Sequence, residues 1–294
     1  MAMIFSRQQR LLLHVRGEAD GTVRRMELLS LIVAMILTGA VAGVLAGLLG
    51  VGGGIVIVPA LEAALAIVGV DASVRMHIAV ATSLATIIPT SISSAAAHNR
   101  KNAIDTDVVR YWSPFIFMGA VAGIVIAANV TGQVLAAVFA VVALSVAINM
   151  MRPSQGKTIW SDVPHGISGF LIPTGIGSIS TLIGIGGGSM SVPAMTLMSK
   201  PIHVAVGTSA LLGLVIAVPA TLGYVIAGWD NQLLPEWNLG YVSLIGFVAI
   251  TPATVLFAPL GAKLAHALSH RWLSLLFGSF LFIVAIRMGV RALA

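Results

Sequence analysis

The sequence predicts an all-α polytopic membrane protein made of two internal repeats, read as inverted, each carrying a glycine-broken helical hairpin. Three observations predict this: the composition, a chain of about eight to ten apolar segments near membrane-spanning length, and ordered block matches between the halves. Of 294 residues, 58% are hydrophobic and 9% charged, with a mean hydropathy of +1.02. A soluble domain devotes about a quarter of its residues to charge, so this chain has too few to cover a water-facing surface. The net charge of +6 falls in short connections and at the ends, which suits anionic lipid and the setting of topology rather than nucleic acid. The absence of cysteine excludes disulfides, thiolate metal sites and cysteine nucleophiles.

Taken in order, residues 1–26 form a basic N-terminal extension, because the apolar run Leu11–Leu13 is too short for a secretory signal. Apolar segments follow at 28–50, 54–70, 77–97, 111–128, 132–150, 163–184, 188–199, 203–228, 239–262 and 270–291. The polar stretch RPSQGKTIWSDVPH (152–165) is the natural divide. It gives a first repeat at 27–151, a linker at 152–162 and a second repeat at 163–294. LLGVGGGIVIVPA (48–60) aligns with LIGIGGGSMSVPA (182–194), HIAVATS (77–83) with HVAVGTS (203–209), and LAAVFAVVALSVAINM (135–150) with LSLLFGSFLFIVAIRM (273–288). Three matches in one order indicate duplication, which is common in secondary transporters with a site at the repeat interface.

Segment 188–199 has only twelve residues, roughly half a membrane crossing at 1.5 Å per residue. It reads as a half-helix returning from the midplane, and Pro173 and Gly175 are expected to break its partner 163–184 as well. If each glycine turn makes a hairpin, the halves are inverted. Arg100, Lys101, Arg110, Arg152, Lys157, Lys200, Lys263 and Arg271 then share the cytoplasmic face, while the basic N-terminus lies outside. Full crossings by 28–50 and 163–184 would instead make the halves parallel.

The triplets Gly52, Gly53, Gly54 and Gly186, Gly187, Gly188 are poor helix formers. A broken helix exposes N–H groups and the positive end of a dipole, which bind anions without a charged side chain. The triplets, with Ser189, are therefore candidate substrate-binding residues; close helix packing is the alternative reading. Thr82, Ser83, Thr208 and Ser209 offer paired hydroxyls to a substrate path, or to their own helix backbone. His77 and His203, at matching helix starts, and Glu62, an acid in an apolar segment, are candidates for proton coupling; capping and a surface location are the plainer readings. No phosphate-loop lysine, H-E-x-x-H or G-x-S-x-G occurs, so no cofactor and no enzymatic activity is expected.

GLLGVGGGIVIVPAL, AVATSLATI, HNRKNAIDTD, IGIGGGSMSVPAM, AVGTSALLG and PLGAKLAHALSHRWLSLLFG resemble the TauE/SafE family of sulfite and organosulfonate exporters over roughly residues 28–291. The resemblance implies a multi-pass protein of the bacterial inner membrane that moves small sulfur-containing anions such as sulfite, sulfoacetate or other organosulfonates. The partners expected are a small anionic substrate and the lipid bilayer. An anion channel and, from another class, an intramembrane enzyme are the rival readings.

Overall fold

The structure, a computed structural model, describes residues 33, 35–48, 52–151, 166–264 and 270–293, with the backbone alone at 270–274, 276 and 277. The N-terminal extension and the linker predicted at 152–162 lie outside the described residues. The described helices are α1 (Met35–Leu48), α2 (Gly54–Ile67), α3 (Ala72–Asn99), α4 (Thr106–Ala128), α5 (Gly132–Met151), α6 (Ile167–Ile183), α7 (Gly188–Leu197), α8 (Ile202–Ala227), α9 (Leu244–Leu264) and α10 (His270–Leu293). Five of them (α3, α4, α5, α8 and α9) are long and apolar enough to cross a membrane. The chain is an all-α, multi-pass membrane protein.

Local chemistry sets the boundaries. Asp71 caps α3 by accepting from the Ser73 N–H at 2.8 Å. Asp105 caps α4 by accepting from the N–H groups of Asp107 and Val108, each at 3.1 Å. Such caps satisfy donors that have no partner within the helix. α2 and α7 have no side-chain cap and start instead from a left-handed glycine. Among the described residues each half runs through the same five elements: two short helices around a glycine break, then three long ones.

Packing joins the halves crosswise. α3 lies against α8, and α5 against α10; α4 packs on α6 and α8, and α9 on α3. Glycines let several of these helices touch, and their neighbours fix direction. Gly39, Gly43 and Gly47 of α1 lie on Ile250, Thr254 and Ala258 of α9, so these two run parallel. Gly119 and Gly123 of α4 lie on Thr174 and Ser178 of α6 in the same sense. In contrast, Gly207 of α8 sits on Ala103 and His98 while Gly213 reaches Ser91, so α3 and α8 are antiparallel. α5 and α10 are antiparallel too, with Gly278 near Ala147 and Gly289 near Ala140. Without a hydrophobic drive between helices in lipid, such close approaches are what hold a bundle together.

Three expectations are corrected. α6 passes unbroken through Pro173 and Gly175, because neighbouring helices in a membrane bundle tolerate an internal proline; the chain breaks at Gly184 instead. His77 does not open its helix: α3 begins five residues earlier, at the Asp71 cap. The segment read as apolar from 239 starts with a two-stranded antiparallel hairpin, Asn238–Leu239 with Val242–Ser243, and α9 follows it.

The glycine contacts make a testable contrast. A Cβ on Gly43 would stand 2.6 Å from the Thr254 carbonyl oxygen, whereas one on Gly175 would meet nothing within 4 Å. Gly43→Ala should therefore destabilise by about 1–3 kcal/mol through overpacking, read as a lower melting temperature of the purified protein in detergent. Gly175→Ala should hold the melting temperature or raise it slightly.

Candidate functional site

The two glycine breaks are built alike. Gly53 precedes α2 with φ of 77°, and Gly187 precedes α7 with φ of 76°; only glycine adopts this region without a Cβ penalty. A Cβ on Gly53 would lie 2.7 Å from the Ala42 carbonyl oxygen, and one on Gly187 would lie 3.8 Å from Ile176. Each glycine thus sits beside a residue eleven positions earlier, so the chain doubles back there as a hairpin. These are the half-helix breaks that the triplets predicted.

The breaks also meet. A Cβ on Gly54 would run into the Gly184 carbonyl and stand 2.9 Å from the Ser83 hydroxyl, and one on Gly52 would lie 3.4 Å from the Gly186 Cα. Ser83 Oγ donates to the Gly184 carbonyl at 2.8 Å, tying α3 of the first half to the break of the second. Gly213 of α8 lets the Gly186 carbonyl approach to 2.6 Å from where its Cβ would be. The meeting point is flanked by Ile87, near the middle of α3, and by Gly213 on α8.

Donors collect at this junction. The N–H groups of Val56 and Ile57 bond the Gly53 carbonyl, and those of Met190 and Ser191 bond the Gly187 carbonyl. Gly54, Ile55, Gly188 and Ser189 precede any acceptor within their own helices, and their N–H groups carry the positive ends of two dipoles. Around them the hydroxyls of Ser91, Ser189 and Ser191 are buried and have no hydrogen-bond partner among the described residues. An unpaired buried hydroxyl costs roughly 1–3 kcal/mol, which a polar guest would relieve.

Other predicted residues are engaged elsewhere. The Thr82 hydroxyl accepts from the Ser243 N–H at 2.9 Å, at the entry to α9. The Thr208 hydroxyl accepts from the Asp105 N–H at 2.8 Å, at the entry to α4. These matched threonines anchor matched helix starts, each in the opposite half. Ser209 Oγ donates to the Val206 carbonyl of its own helix. His77 is buried, stacked on Tyr241 with ring centroids 5.0 Å apart, and its Nε2 lies 3.2 Å from the Ala127 carbonyl; His203 is exposed at the second position of α8. Glu62 is buried and paired with Arg291, whose Nε stands 2.8 Å from its Oε1. Gly184, Ser191 and Gly213 were missed. Gly184 had a signal, since it aligns with Gly50 in the repeated block.

Near the α4 entry, Lys200 Nζ lies 2.8 Å from Asp105 Oδ2 and ties the α7–α8 turn to α4. Partial burial works against ionisation of Asp105, but Lys200 and the N–H groups of Val108 and Asp107 outweigh it and hold the carboxyl below its usual value. A lowered acid pKa stabilises the fold above the unfolded value, and that contribution is lost as pH falls through the folded one. Between α5, α6 and α7 runs a mostly apolar groove of about 550 Å³, lined in part by Val146, Asn149, Ile176, Met190 and Pro193, with Ser189 at the glycine break.

The sequence profile described as Sulfite exporter TauE/SafE matches residues 35–288, which include both breaks and all five long apolar spans. The chain belongs to the TauE/SafE family. A relative in Haemophilus influenzae, described as a "Probable membrane transporter protein", is 35% identical over 258 residues, covering 87% of this chain and 97% of that one. A Bacillus subtilis protein with a similar description is 28% identical over 225 residues, 68% of this chain and 81% of its own. Another, from Methanocaldococcus jannaschii, is 25% identical over 270 residues, 89% and 97% of the two chains. No solved structure matches the chain. Family and relatives alike are described as membrane transporters or exporters, in keeping with the helical, multi-pass architecture.

Thr208→Val keeps the side-chain shape and leaves the partly buried Asp105 N–H without its acceptor, which should cost about 1–3 kcal/mol. The expected outcome is a clear fall in melting temperature, with Ser209→Ala milder because its donor bond runs within one helix.

Proposed function

We propose that this TauE/SafE protein is a gradient-driven transporter of small sulfur-containing anions, such as sulfite, sulfoacetate and other organosulfonates, across the bacterial inner membrane. The observation that carries the reading is the meeting of the two glycine breaks, where the N-termini of α2 and α7 converge beside buried, unpartnered serine hydroxyls. Each helix N-terminus contributes about 0.3–1 kcal/mol to an anion, and up to about 2 when partly buried. With Ser91, Ser189 and Ser191 as donors, the cradle holds a small anion with no lysine or arginine in it. That suits transport, where the substrate must also be released.

The antiparallel pairing of α3 with α8 and of α5 with α10 supports inverted halves, since these helices occupy matching places in the two repeats. Arg100, Lys101, Arg110, Lys200 and Lys263 then lie on one face, which the positive-inside rule makes cytoplasmic. Ser83 acts on this reading as the strut that holds the second break open to the first. His77 and His203 are left outside the cradle, so proton coupling through them would act at a distance from the anion.

The reading is tested by uptake into proteoliposomes, using sulfite, thiosulfate, sulfonates and carboxylates with and without a proton gradient. Uphill accumulation or counterflow of a sulfur oxyanion is expected; passive leak alone would make the protein a channel. In calorimetry Gly187→Leu should weaken anion binding more than about tenfold, because bulk enters the cradle at a left-handed position. A leucine variant that melts lower yet binds with native affinity would reassign the triplet to helix packing. Single cysteines at Asn102 and Asn231 should label from opposite faces of the membrane; labelling from one face would favour parallel halves.

A further inference from the structure

The two hairpins match in sequence but not in setting. In the first half α2 is buried from Gly54 to Pro59 and again at Leu61, Glu62 and Leu65. It also packs against α10. In the second half α7 buries Gly188, Ser189, Ser191 and Met195, while Met190, Val192, Pro193 and Ala194 are half-exposed. Met190, Pro193 and Ala194 line the groove that separates α7 from α5. By the repeat alignment α7 corresponds to α2 and α5 to α10, so among the described residues one inter-helix gap is shut and its twin is open.

Specific contacts hold each state. Glu62 on α2 and Arg291 on α10 close the first gap, with the carboxylate nearly fully buried and the guanidinium 27% exposed. Their contact lies at 2.8 Å but is not an in-line hydrogen bond, so the pair is an ion contact that can part. The position matching Glu62 is Thr196, whose hydroxyl donates to the Pro193 carbonyl of its own helix, so α7 has no acid there to reach α5. Lys200 instead ties the far end of α7 to Asp105 at the start of α4, away from α5. The open groove ends at Ser189 and Ile176, beside the glycine break.

We infer that the groove between α5, α6 and α7 is the open access path to the glycine junction from the face that carries Lys200, and that the Glu62–Arg291 pair is the closure of the matching path on the opposite face. The structure is then one of two exchange-related states, and movement of α2 away from α10 would open the other path as α7 closes on α5. Inverted halves make such an exchange natural, because each half can adopt the setting of its twin. This inference rests on the transport reading above and adds to it the residues that gate each face.

The test uses the cysteine-free full chain in sealed membrane vesicles of both orientations, with a small membrane-impermeant anionic thiol reagent as probe. Cysteines are placed at the matched positions Met190→Cys, in the groove, and Val56→Cys, in the closed gap. In the otherwise native chain Met190→Cys should label quickly from the Lys200 face, and Val56→Cys slowly from either. Adding Glu62→Gln should raise Val56→Cys labelling from the opposite face by about tenfold or more and lower that of Met190→Cys, as expected of a shift between two states. Arg291→Gln should do the same, and the swap Glu62→Arg with Arg291→Glu should restore the native pattern. Unchanged protection of Val56→Cys in both single variants would overturn the closure. So would a rise at both cysteines together, which means local unfolding, or failure of the swap to restore protection. Because labelling needs no substrate, a reciprocal switch without anion transport would keep the gate and reject the substrate reading. Transport by Glu62→Gln at native rate with unchanged labelling would keep the substrate reading and reject the gate.

Discussion

A broken helix inside a membrane must have its backbone polar groups satisfied within the protein, because lipid offers them nothing. Much of this architecture follows from that constraint applied twice. Two hairpins end near the middle of the bundle, and neither break can face lipid. They are set against one another and flanked by α3 and α8. The Ser83 hydroxyl takes up the Gly184 carbonyl, and glycines at 52, 54 and 213 let the two backbones come close enough to cover each other. The outer helices then surround this junction, with their apolar faces available to lipid.

The same constraint explains why α3 is so rich in hydroxyls. It is buried on most sides and carries Thr82, Ser83, Thr86, Thr90, Ser91 and Ser94, all enclosed. Thr86 and Thr90 turn their hydroxyls to carbonyls of their own helix, and Thr90 also reaches Thr254 of α9 at 2.8 Å. Ser91 and Ser94 find no such partner among the described residues. A helix that served only as packing would place alanine there. Of these unsatisfied hydroxyls, Ser91 lies beside the Gly186 carbonyl at Gly213, next to the proposed anion cradle.

The sequence made the breaks legible because glycine triplets are costly in a helix, and a duplicated cost indicates purpose. Spans and their order were legible for the same reason that hydropathy works in membranes: an apolar run near twenty residues has few other fates. Less accessible were contacts joining residues far apart in the chain. Thr82 and Thr208 carried a true symmetric signal, yet nothing local shows that their acceptor oxygens serve N–H groups at Ser243 and Asp105. Glu62 stands out by its charge, but Arg291 lies 229 positions later and nothing local in the sequence pairs the two. The short hairpin at 238–243 was hidden inside a stretch judged by hydropathy alone. Pro173 and Gly175 are poor guides here because a proline or glycine inside a membrane helix can be carried by the surrounding bundle, and α6 is held against α4 through Gly177 and the Ile116 carbonyl.

The threonine ties have a consequence for how such a chain could arise. Thr82 in the first half steadies the entrance of α9 in the second, and Thr208 in the second steadies the entrance of α4 in the first. Ser83 likewise spends its hydroxyl on a carbonyl of the other half. Neither half therefore contains all the partners its own backbone requires. An ancestor consisting of a single half would have met the same needs only by pairing with a second copy, one that is inverted across the membrane on the reading proposed above. Fusion of two such copies would have turned every subunit contact into an internal one. It would also have freed the two halves to diverge, as they have where Ile55 in the first half corresponds to Ser189 in the second.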